Sequence, residues 1–273
     1  MENPNTSLSA SLPLKEAYDD LVHPTAKAIG ETISLIPRAL NAALSPIYKW
    51  VESKEYNLEQ TKQLLAEKLK NIPEDKIVPP DAYVAVPAIQ NLSYCMDSTE
   101  LRELYANLLA NSLIAGKKEK VHPAFVDQIR QMSPLDARIL ENFSKPETLP
   151  LCSVKWTPDP NRFRGIKPLR HFKDNAGSSK ALLENITVFS DLSASLEDLA
   201  VGISNLKRLG LLSIPEGRFL SNNDLYQPLD NSPKIHAYLL KYPPFTYLER
   251  KLGELTPLGK EFCKICITPP SAD

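Results

Sequence analysis

Hydrophobic positions in residues 95–143 recur at the spacing of three successive helices. In the first, Leu101, Leu104, Tyr105, Leu108, Leu109 and Leu113 fall three and four residues apart and so share one helix face. Asp97 stands where an N-cap belongs, Glu100 can complete a capping box, and Gly116 permits the left-handed residue that ends a helix. His122 and Pro123 open a second helix with Phe125, Val126 and Ile129 inward, because proline at the first helical position forfeits no hydrogen bond. Ser133, Pro134 and Asp136 open a third in the same way, with Leu135, Ile139, Leu140 and Phe143 as its stripe.

Residues 57–72 repeat the pattern through Leu58, Leu64, Leu65, Leu69 and Ile72, and Pro73 stops them. The proline-punctuated stretch 76–95 predicts an extended crossing that runs into a short helix ending near Tyr94. Farther upstream, Ile29, Ile33, Ile36, Leu40, Ala43, Leu44 and Ile47 mark another stripe. Between Ala28 and Tyr48 the only charges are Glu31 and Arg38, and 21 residues is close to the length of a bilayer span. Each central charge costs about 2.5–3.5 kcal/mol on insertion scales, and Pro37 interrupts the segment. Burial against other helices is therefore the expected fate. A membrane surface is the alternative, faced by Ile33, Ile36, Leu40, Leu44 and Ile47.

After residue 144 the helical period fades. Residues 144–180 carry several prolines and the run Arg162, Arg164, Lys167, Arg170, Lys173 and Lys180, opposed only by Asp174 and interleaved with Trp156, Phe163 and Phe172. Such a run can contact phosphates while its rings stack on unpaired bases, but with no nucleic-acid motif beside it the expected reading is a solvated basic linker or a lid over an acidic surface. Beyond it, Ser195 and Asp198 cap a helix with Leu196, Leu199, Ala200, Ile203, Leu206 and Leu209 inward, ended by Gly210. LLSIPEG then reads as strand and turn, TYLERKLGEL as a second strand, and Thr256 with Pro257 opens a last helix. The expected class is mainly α: a helical N-terminal body with a smaller α+β, winged-helix-like C-terminal module. The expected organisation is a loose 1–15, a helical domain 16–143, a proline-rich basic linker or lid 144–180, and the module 181–273. Its helix 193–209 offers only Lys207 and Arg208 against Glu197 and Asp198, which favours protein contact over DNA reading.

The strings ELRELYANLLANSLI, VHPAFVDQIRQMSPLDARIL and YDDLVHPTAKAIGETISLIPRALNAALSPI resemble the bacterial abortive infection alpha family, which is associated with defence against bacteriophage. The resemblance runs over residues 18–143. ISNLKRLGLLSI and LTPLGKEFCKIC look like the family's C-terminal part, whereas residues 144–190 carry no such string. It implies a role in defence and brings no catalytic motif to place on this chain.

A net charge of −1 supplies no global attraction for nucleic acid or anionic lipid. Twenty-four prolines against nine glycines favour short helices and stiff connectors, and no phosphate-binding glycine motif is present. Cys263 and Cys266 form a CxxC that reads as the apolar end of the last helix, with half a zinc site or a redox pair as the alternative. His23 and His122 each precede proline at a helix entrance, and His171 and His236 stand apart, so no catalytic constellation emerges. A chain that starts MENPNTSLSASLPLK shows no export pattern, and its cysteines are expected to be reduced in the cytoplasm. The reading is thus a non-enzymatic defence protein, without cofactor, in the cytoplasm or peripheral to the inner membrane. Its expected partner is a phage or host protein, with a membrane surface and self-association as further contacts. A regulator that binds nucleic acid is the competing function.

Overall fold

A computed structural model describes residues 38–48, 55–157, 179–242 and 246–271. Six helices come first: α1 (Arg38–Tyr48), α2 (Glu55–Leu69), α3 (Ala82–Tyr94), α4 (Thr99–Ser112), α5 (Ala124–Arg130) and α6 (Pro134–Ser144). Strands β1 (Thr148–Trp156) and β2 (Lys180–Ile186) precede α7 (Leu196–Arg208) and β3 (Leu212–Ser213). Short helices α8 (Gln227–Asp230) and α9 (Pro233–Leu239) lead to β4 (Thr246–Leu255) and α10 (Pro257–Phe262), which continues as a π-turn over Cys263–Ile267.

The mainly α class with a separate winged-helix-like module is corrected by the sheet. Four antiparallel strands stand in the order β2-β1-β4-β3, and β1 pairs with β4 from Thr148↔Glu254 to Trp156↔Thr246. The molecule is α+β, and a central strand comes from the stretch expected to be linker. Leu151, Cys152, Ser153 and Val154 are all buried because helices cover both faces of β1. A strand covered on both faces has no alternation to read. On one face Cys152, Val154, Ile186 and Leu248 pack with Leu196 and Ala200 of α7 and with Tyr226, Leu229, Ile235 and Tyr238. On the other, the ring of Phe143 from α6 lies so near Gly253 that a β-carbon there would sit 3.0 Å from it.

Helix α4 is the axis of the helical layer. Residues 104–114 are buried without interruption, so the expected stripe widens to a helix enclosed on all sides. Its cap is Ser98 rather than Asp97: the Ser98 Oγ accepts the Leu101 N–H at 3.3 Å. The 76–95 connector is helical from Ala82 despite Pro87, which deprives the Tyr83 carbonyl of its donor where Tyr83 faces solvent. Ser133, Ser232 and Thr256 each cap a helix whose next residue is proline, and Ser195 caps α7 without one. Each such cap is worth about 1 kcal/mol, and the repeated device accounts for part of the high proline content.

Candidate functional site

Of the residues expected to face a membrane, Leu40 is 0% exposed and Leu44 is 1% exposed, both turned into the helical layer. Ile47 belongs to α1, but its side chain lies outside the described residues, as do Ile33 and Ile36. Arg162, Arg164, Lys167, Arg170 and Lys173 also lie outside them; they fall in the connection between β1 and β2, which pair at Trp156↔Lys180. Among the described residues no helix is long and apolar enough to cross a membrane.

The four cysteines are unpaired. Burial, reinforced by the charge of Asp230, pushes the Cys152 thiol from an ordinary 9.0 to about 12. Burial, then the charge of Glu147, does the same to Cys263, and Cys266 is raised by burial and by Cys263. All three therefore stay protonated at neutral pH, which makes them weak nucleophiles and weak ligands. The sign of the linkage follows. A thiol whose acidity falls on folding contributes stability that is complete below pH 9 and is lost as pH rises from there towards 12. The urea midpoint should accordingly be level from pH 7 to 8.5 and decline above 9. A midpoint unchanged at pH 10.5 would contradict the burial of these thiols.

On the sheet, Arg250 of β4 is held three ways. It pairs with Asp230, donates to Asn223 Oδ1 at 2.8 Å, and stacks 4.7 Å above the Tyr226 ring. Tyr226 in turn donates to the Lys251 carbonyl at 2.7 Å. These contacts fasten the α8 region to β4 and are read as structural.

A more open arrangement lies where the α5–α6 corner meets α7. There Asn205 donates to the Gln131 carbonyl and to Asp136 Oδ2, each at 2.9 Å. Asp136 Oδ2 also accepts the Ser133 N–H at 2.7 Å, completing the capping box of α6. Arg208 donates to Asn205 Oδ1 through Nε at 3.0 Å and Nη2 at 2.8 Å, and through Nη1 to Gln131 Oε1 at 2.9 Å. This network frames a cleft of about 520 Å³ whose walls include Met132, Leu135 and Val201, with Val201 70% exposed. At its floor α6 and α7 approach closely, since a β-carbon on Gly202 would lie 2.6 Å from Ile139 Cδ1. Segments about 70 residues apart build it, and so no sequence window could reveal it. One signal was available in the helix itself: Val201 is an apolar residue off the inward stripe of a helix whose start and stop were both legible.

The family model for abortive infection alpha matches residues 53–266. The chain belongs to the abortive infection alpha family. The match begins after the upstream string 18–47, and it includes residues 144–190, where the sequence offered no resemblance. It thus takes in helices α2 to α10 and the whole sheet, together with the cleft. No curated protein and no solved structure matches the chain.

Proposed function

We propose that this abortive infection alpha protein restricts phage by binding a phage or host protein, and that it catalyses no reaction. The observation that carries the reading is the cleft: an open surface with an exposed Val201, framed by a hydrogen-bonded network that holds its shape before any partner arrives. The protonated thiols support it by removing three potential nucleophiles. Burial of Leu40 and Leu44 supports a body that uses its apolar stripe as core rather than against lipid. Unpaired cysteines suit a cytoplasmic setting, where phage components are met.

Bacteria expressing the wild-type chain or Val201→Lys are challenged with phage while membrane potential is followed. Restriction by the wild type without early depolarisation, together with its loss in a Val201→Lys protein of unchanged melting temperature, is the expected result. Depolarisation before phage release, or full restriction by the variant, would overturn the contact reading.

A further inference from the structure

We infer that the cleft between the α5–α6 corner and α7 receives an arginine side chain of a partner protein, a deepening that rests on the contact function proposed above. The donors nearest the cleft's carboxylates are turned onto its own frame. Asn205 uses both amide N–H groups on Gln131 and Asp136, and Arg208 turns three of its five N–H groups onto Asn205 and Gln131. Arg130, the cation at the rim, is paired with Asp127 at 3.2 Å. Acceptor capacity remains on two carboxylates.

Asp136 is only 4% exposed, and its Oδ1 accepts no hydrogen bond among the described residues. That oxygen lies beside Gly202 at the floor, 2.9 Å from where a β-carbon would stand. Asp198 on the facing wall accepts the Ser195 hydroxyl through Oδ2 at 2.7 Å, and its second oxygen accepts none among the described residues. A carboxylate oxygen has room for two donors, so both groups can take more. An anion here would face two carboxylates, and a purely apolar ligand would cover Asp136 Oδ1 without giving it a donor. The walls are apolar, through Met132, Leu135 and Val201. A ligand that pairs an apolar stem with a forked, weakly hydrated cation meets both demands, and arginine is the side chain built that way.

The test uses the intact protein and the probe acetyl-Leu-Arg-Leu-amide, followed by NMR at the Val201 methyl groups and the Asn205 side-chain amide. Both signals should shift with a dissociation constant on the order of millimolar, as expected of a single anchored side chain. Asp198→Asn, which preserves the shape of the cap partner, should weaken binding roughly two- to fivefold, the worth of an exposed ion pair. Val201→Lys should abolish it. Equal shifts with acetyl-Leu-Glu-Leu-amide, or shifts confined to other surfaces, would overturn the proposal. The two readings fail separately. Peptide binding that Val201→Lys abolishes without loss of phage restriction removes the contact function, while restriction that Val201→Lys abolishes, in a protein whose wild type binds no arginine peptide, removes the arginine.

Discussion

Gly259→Ala is expected to lower the stability of the fold by about 3 kcal/mol, the upper end of what overpacking usually costs. A β-carbon at Gly259 would lie 2.1 Å from the Leu211 carbonyl oxygen and 3.0 Å from its carbon. The obstacle is backbone, and that backbone is pinned. The Leu211 carbonyl accepts the Thr256 N–H at 3.0 Å, and the Leu211 N–H is held by Leu206 O at 3.1 Å. Thr256 donates its hydroxyl to the Gly210 carbonyl at 2.6 Å, and Leu212 next along pairs with Leu255. Relief therefore requires α10 to back away from the turn that joins α7 to β3, and the Thr256 cap would go with it. Gly217→Ala is the comparison, since its φ of +67° carries backbone strain but nothing lies within 4 Å. That change should cost only about 1 kcal/mol. Urea unfolding of the two variants measures the difference. If Gly259→Ala proved no worse than Gly217→Ala, the close approach of α10 to Leu211 would be wrong.

Local rules made part of this fold legible. The caps at Ser133, Ser195 and Thr256 stand where the sequence places them, and the second extended segment coincides with β4, Thr246–Leu255. Each rests on an interaction within three or four residues, or on one uninterrupted run. The misses have physical causes too. β1 is covered on both faces and contains Pro150, so it shows neither alternation nor ordinary strand composition. β2 carries two register irregularities in its pairing with β1 and places Asn185 at a φ of +56°, which disrupts the period of two. Helices α8 and α9 lie in a stretch between the two expected strands to which no element is assigned from sequence, although Ser232 and Pro233 repeat the signature of Ser133 and Pro134. The cleft was illegible for a different reason. Asp136 has a complete local role as the cap partner of its own helix, Asn205 sits on the polar face of another, and only the packing of α6 on α7 brings them together.

The clamp between the last turn and α4 should be the second most sensitive point, with Asn111→Leu expected to cost about 2–3 kcal/mol, the penalty for a buried carbonyl left without a donor. In the π-turn, the carbonyl of Ile265 would look to residues 269 or 270 for its hydrogen bond, and both are proline. The Cys266 carbonyl meets Pro270 in the same way. Two buried asparagines of α4 supply what the prolines lack. Asn111 donates to the Ile265 carbonyl at 2.9 Å, and Asn107 donates to Cys266 O at 2.9 Å and Ile267 O at 3.2 Å. Asparagine is a poor helix former, so two of them in the middle of an enclosed helix make sense through these bonds. Leucine at 111 preserves the volume and removes the donor, which separates hydrogen bonding from packing. Asn107→Leu should behave alike, and the pair should be less than additive because either loss frees the same segment. Hydrogen exchange at Thr268, whose N–H bonds to Cys263 O at 2.9 Å, should accelerate in both variants. Pro269→Ala in the Asn111→Leu background returns an N–H to the chain and should recover part of the loss. A stability unchanged by Asn111→Leu would mean that packing alone holds the last turn. The clamp joins positions 154 residues apart, so helical layer and sheet should unfold together, with tryptophan fluorescence and circular dichroism giving one coincident transition.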